Sequence, residues 1–200
     1  MKLKTTVFVL ALTITAAPVS ATDWQGWRAG VAVGAGSYIE SYQGFSYSKS
    51  QEVPVEAFLG YDWQRDRRVF GLEVDYGAIS EVWSYTNSIN PEHGIGQAHA
   101  LDLKGRLGYV FGERRNALAY VFTGIGGVHN TSRALNQSLA VYTSQGYTMQ
   151  AGVGIEYHPD GKQLFVGAEA GMRSSVIDFP TAQGVNLDGA FIKARIGWKF

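Results

Sequence analysis

The residue types best suited to chemistry in this sequence are a few histidines with a hydroxyl and a carboxylate in reach. If "HALDLKGRLGYVF" and "AYVFTGIGGVH" are successive strands joined across Gly112 to Leu118, His99 and His129 meet at the end away from that turn. With Ser132 or Glu81 they would supply the nitrogen and oxygen ligands of a metal, or a histidine-activated hydroxyl for hydrolysis. His93 falls in a long connection and His158 in a short one. The spacing matches no catalytic motif, so no catalytic, cofactor-binding or metal-ligating residue is assigned and no cofactor is expected. "GAGSYIE" and "GIGGVH" hold fragments of phosphate-binding loops, but neither leads from a strand into a helix, as phosphate capture requires. Cysteine is absent, which removes disulfides, thiolate metal sites and cysteine nucleophiles together. The 17 basic and 17 acidic residues balance, so nothing in the bulk charge favours nucleic acid as a partner.

A larger set of polar residues has a regular spacing instead. Glu56, Asp62, Glu73, Asp75, Asp102, Glu156 and Glu169 alternate with apolar residues, and so do Arg28, Lys104, Arg106, Arg173, Lys193, Arg195 and Lys199. Seven acids against seven bases suit an enclosed space where each charge finds a partner, because an unpaired buried charge costs several kcal/mol.

Strands must position these charges, since period-two patterning dominates the chain after Ala21. "VPVEAFLGYDWQ" sets Val53, Val55, Ala57, Leu59, Tyr61 and Trp63 against Glu56, Gly60 and Asp62. "VFGLEVDYGAIS", "HALDLKGRLGYVF", "YTMQAGVGIEY", "LFVGAEAGMR" and "WRAGVAVGAGSY" repeat the arrangement. Ala119 to His129 is a strand without a clear face. The ending "GAFIKARIGWKF" sets Ala190, Ile192, Ala194, Ile196, Trp198 and Phe200 against Lys193, Arg195 and Lys199, which makes eight strands. Connections alternate between short (Arg65 to Arg68, Gly112 to Leu118, His158 to Gln163) and long (Ile39 to Glu52, Trp83 to Ala98, Asn130 to Gly146, Val176 to Leu187). That alternation makes the strands run up and down around a closed antiparallel barrel.

The amino terminus sets the compartment. "MKLKTTVFVLALTITAAPVSA" has Lys2 and Lys4, an apolar run from Val7 to Ile14, and small residues ending at Ala21. This order predicts a secretory signal peptide over 1–21, cleaved after Ala21, and a barrel domain over 22–200. The apolar run is far short of the ~20 residues that span a bilayer as a helix.

A soluble barrel hides its apolar face and a membrane barrel displays it. The polar faces here carry glycine and balanced charge, while the apolar strips carry almost none, as lipid contact demands when Arg or Lys at mid-membrane costs ~2–4 kcal/mol. Aromatics gather at two levels: Trp27, Tyr61, Trp63, Phe70, Tyr109, Phe111, Tyr120, Tyr157, Trp198 and Phe200 near the short turns, and Tyr38, Tyr76, Trp83 and Tyr147 near the long connections. Two such girdles mark the edges of the hydrocarbon. The fold expected is an all-β, eight-stranded antiparallel up-and-down transmembrane barrel, in the bacterial outer membrane with both termini in the periplasm.

On the signal sequence, the eight strands from Trp27 to Phe200 and the alternating ending "FIKARIGWKF", the chain resembles the small outer-membrane barrels of the OmpA/OmpX and opacity-protein (porin-like) type. The resemblance implies that Phe200, Trp198, Ile196 and Ile192 form the signal read by the barrel-assembly machinery. It also implies a structural protein that supports envelope integrity or surface interaction, partnered by outer-membrane lipids and lipopolysaccharide. The long connections, "GFSYSKS" and "SYTNSINPEHG" among them, would then be extracellular ligand surfaces, since loops on a rigid scaffold often carry function. Two alternatives stand beside this reading: a lipid A-modifying enzyme built on His99 and His129, and a narrow channel. Eight strands argue against the channel, because side chains fill so small an interior.

Overall fold

The structure, a computed structural model, describes residues 23–42, 45–87, 90–134, 141–159, 163–179 and 182–200. The expected signal peptide, 1–21, lies outside them. Eight strands follow one another: β1 (Gly26–Tyr42), β2 (Phe45–Arg65), β3 (Arg68–Asn87), β4 (Asn90–Phe111), β5 (Ala117–Ala134), β6 (Val141–Tyr157), β7 (Leu164–Phe179) and β8 (Ala182–Lys199). Each pairs antiparallel with its sequence neighbours, and β1 pairs with β8 to close the barrel.

The register fixes the shape. A line of paired residues from Arg28 runs through Gly60, Glu73, Lys104, Gly124, Gln150, Arg173 and Gly189. It returns to β1 at Tyr38, a stagger of ten residues from 28 to 38. With about 3.3 Å per residue and about 4.8 Å between strands, that stagger tilts the strands by about 40°. The turns at the short end need left-handed backbone at Asp66 (φ 57°), Gly112 (φ 84°) and Arg115 (φ 55°). Glycine, and to a lesser degree Asp, takes that conformation at little cost.

Alternation sorts the two faces as lipid requires. Val31, Leu59, Leu72, Val74, Leu103, Val121, Ile125, Val153, Val166 and Ile192 face outward and are exposed. The residues that alternate with them along each strand point inward. β5, whose face the sequence left open, turns Ala119, Val121, Thr123 and Ile125 outward and Tyr120 and Phe122 inward.

Two expectations need correction. The long connections are mostly strand: β2 begins at Phe45 and β4 at Asn90, so few residues separate successive strands at that end. A lipid band about 25 Å tall uses roughly 10 residues of a tilted strand. Strands of 16 to 22 residues therefore stand well clear of it on the side away from the short turns. Polar residues at both odd and even positions of these segments conceal the period of two in the sequence. The second correction is Tyr120, which belongs to the lumen rather than the girdle. The other short-end aromatics from Trp27 to Trp198 do face outward, and Trp27, Tyr61, Trp63 and Phe70 form a continuous ladder with ring centroids 4.9 to 5.7 Å apart. Tyr76 and Tyr147 face outward at the other level. The side chains of Tyr38 and Trp83 lie outside the described residues.

Candidate functional site

The interior is a packed ionic core. Arg28, Glu56, Asp62, Glu73, Asp75, Asp102, Lys104, Arg106, Glu156, Glu169, Arg173, Lys193, Arg195 and Lys199 all point into it, none more than 4% exposed. Arg195, on β8, is the hub. One of its terminal nitrogens donates to both carboxylate oxygens of Glu73 at 2.8 and 2.7 Å. The other donates to the Tyr120 hydroxyl at 3.0 Å and to Glu169. Arg28 donates to Glu156 at 2.9 Å and also to Glu73. Arg106 grips Asp62 through Nε at 3.0 Å and through a second nitrogen, and donates to Glu156 at 2.8 Å. Lys104 Nζ lies 2.6 Å from Glu73, 2.9 Å from Asp75 and 3.2 Å from Glu169. Toward the long hairpins, Lys193 donates to both oxygens of Glu56 at 2.8 and 2.7 Å, and Arg173 donates to Asp102 at 2.8 Å. Such charge-assisted, often two-pronged bonds are the strong class of hydrogen bond.

Aromatic rings fill the gaps between the charges. Phe58, Tyr120, Phe122, Phe165 and Phe191 each lie over the glycine directly opposite on the next strand: Gly30, Gly154, Gly152, Gly197 and Gly171 respectively. A Cβ on any of these glycines would run into the ring. The rings in turn support cations. Arg195 sits 4.0 Å from the Phe58 centroid, Lys193 4.2 Å from Phe191 and Lys104 5.0 Å from Phe122. Sequence alternation misses these rings, because the membrane rule assigns large apolar side chains to the outside.

The short-turn end has a floor. Trp24 is 1% exposed, donates its indole N–H to the Arg115 carbonyl at 2.9 Å and stacks edge-on against His158 at 4.5 Å. Lys199 donates to the Asp23 carbonyl at 3.3 Å and lies 5.5 Å from the Trp24 ring. Val69, Val110 and Leu118 are buried in the same cluster.

The other candidates lie on the outer surface. His99 and His129 are direct partners across β4 and β5, both facing outward, and His99 Nδ1 is 3.1 Å from the Tyr76 hydroxyl. Glu81 and Ser132 both pair with Gly96, three residues along the ladder from the histidines, and their side chains lie outside the described residues. Among the described residues no three metal-binding groups cluster. At the carboxyl end, Ile192, Ile196 and Trp198 face outward, while the Phe200 backbone exchanges two 3.0 Å hydrogen bonds with Trp27.

A closed eight-stranded barrel with an apolar exterior and a solid ionic interior is a small outer-membrane barrel. The chain matches the family model for the outer membrane protein beta-barrel domain over residues 6–200, and it belongs to that family. Among solved structures it is similar to OprG from Pseudomonas aeruginosa, with 10% identity, 91% of this chain and 99% of that one covered, and a TM-score of 0.52. Neisserial surface protein A matches with 18% identity over 88% of this chain and 97% of that one, with a TM-score of 0.51. Ail, the attachment invasion locus protein of Yersinia pestis, aligns with 12% identity over 87% and 99% at a TM-score of 0.47. Comparison with curated protein sequences gave no match.

Proposed function

We propose that the protein is a structural barrel of the bacterial outer membrane. It presents its long hairpins to the exterior, supports envelope integrity and acts through surface interaction. The observation that carries this reading is the ion-pair lattice, which runs from Asp62, Arg28 and Arg106 up to Glu56 and Lys193 and leaves the interior to side chains. A lumen occupied in this way supports a scaffold and leaves activity to whatever the wall displays. The short turns lie in the periplasm together with both termini, and extracellular ligands meet the projecting strand ends. Shortening the β3–β4 hairpin is expected to abolish adhesion or serum resistance while the barrel keeps its shifted migration on unheated gels. Full retention of both properties would refute surface interaction through that hairpin.

The alternative of a narrow channel is tested directly. In planar bilayers the purified protein is expected to give no resolvable single-channel steps, because the lumen charges neutralise one another in place. Large, stable steps would replace the scaffold reading with a channel. The lipid A-modifying alternative rests on the His99–His129 pair and predicts loss of such activity in either histidine variant.

Assembly is read from the carboxyl end. Phe200, Trp198, Ile196 and Ile192 form the strip that the barrel-assembly machinery recognises, with outer-membrane lipids and lipopolysaccharide as the surrounding partners. Removing Phe200 is expected to cut the inserted, heat-modifiable fraction several-fold in cells. Unchanged insertion would remove the residue from the signal.

A further inference from the structure

The lipid-facing wall is not evenly convex. Toward its short-turn end, between β4 and β8, lies a groove of about 750 Å³. Its sides are Leu107, Val121, Val153 and Ile155, and its floor is Ala119, Ala168 and Ala170, whose methyl side chains leave the wall low there. The register explains the shape. One outward row of paired residues runs Arg68, Tyr109, Ala119, Ile155, Ala168, so a guanidinium and a phenol stand side by side where the alanine floor begins. Both side chains are exposed, and among the described residues no carboxylate pairs with Arg68. The adjoining turns add Arg65, Arg67, Arg114 and Arg115 against only Asp66 and Glu113, which leaves this rim cationic.

We propose that this groove is a binding site for an anionic phospholipid of the phosphatidylglycerol class. Arg68 and Tyr109 hold the phosphate, and an acyl chain lies along Ala119, Ala168 and Ala170. A cation and a hydrogen-bond donor at headgroup level, above an apolar trough leading into the hydrocarbon, match the two halves of such a lipid. The choice of phospholipid over lipid A rests on the periplasmic placement of the short turns proposed above, since the leaflet on that side is phospholipid.

The full chain, folded in micelles with equimolar phosphatidylcholine and phosphatidylglycerol, and in a second series with lipopolysaccharide added, is examined by native mass spectrometry, with migration on unheated gels confirming the fold of each variant. The wild type is expected to retain phosphatidylglycerol about fivefold over phosphatidylcholine, the preference one Arg at an anionic headgroup supplies. Arg68→Gln should bring the ratio close to one, Arg115→Gln should lower it much less, and Ala168→Leu should lower retention of both lipids. Equal retention by the wild type, or an effect of Arg115→Gln matching that of Arg68→Gln, would overturn the site. Preferential retention of lipopolysaccharide would overturn the choice of phospholipid. Micelles have no sidedness, so these outcomes stand apart from the orientation, and protease accessibility of the turns in cells tests that separately.

Discussion

Arg195→Met is expected to lower the unfolding free energy of the barrel by about 3–5 kcal/mol, the usual cost of deleting one partner from a buried charge cluster. Methionine retains the long stem and removes the fork, so the loss reports charge and hydrogen bonding more than volume. The variant strips Glu73 of a two-pronged partner and removes donors from Glu169 and Tyr120. Lys104 still reaches both glutamates and Arg28 still reaches Glu73, which keeps the effect at the scale of one residue rather than collapse of the lattice. Urea titration in lipid vesicles, read by the shift between folded and unfolded gel bands, measures it. Adding Glu169→Gln to Arg195→Met should recover part of the loss, because the second change removes a carboxylate that the first left short of cations. Two losses that simply add would show that the residues do not act as a unit. An unchanged urea midpoint for Arg195→Met would mean that the lattice is dispensable for stability.

The second large effect comes from a residue with no side chain. Gly152→Val is expected to cost about 3 kcal/mol, at the upper end of ordinary overpacking. A Cβ at this position would stand 2.7 Å from the Phe122 ring and 2.7 Å from the Cα of Gly171, and close to the Ala170 carbonyl. The ring can shift only by disturbing Lys104, which rests on its face. The backbone of β7 cannot shift without breaking the ladder. The same titration measures the loss. Combining Gly152→Ala with Phe122→Leu, which shortens the obstructing side chain, should cost less than the two single changes together. A Gly152→Val barrel with wild-type stability would show that the glycine–ring pairs are incidental to packing.

How far the molecule could be read from its residues follows from what each face demands. The eight strands and three short turns were legible because a wall between lipid and lumen forces strict alternation, as in "FIKARIGWKF". The inward parity of the charged residues was legible for the same reason, since each alternates with a residue that lipid must touch. The five lumen rings were not, because a phenylalanine opposite a glycine obeys no rule of composition: Phe58 inside and Phe70 outside look alike until Gly30 is placed across from the first. Tyr120 reads as a girdle residue because its position near a strand end and its amphipathic ring both fit a membrane interface. The strand extensions beyond the bilayer read as loops because polar residues at successive positions, as in "SYSKSQE", erase the contrast on which periodicity depends. The His99–His129 pairing was foreseeable from turn length alone, since counting back from Gly112 to Leu118 sets the two residues side by side.

The seam between β1 and β8, with Arg28 opposite Lys199 and Ser41 opposite Asn186, has a consequence for biogenesis. No stretch shorter than the run from 28 to 199 has a finished perimeter. A partial product would be a curved sheet with two raw margins of unmet amides and carbonyls, which hydrocarbon does not tolerate. Every backbone group of the wall is therefore satisfied within the chain only once the last strand has met the first.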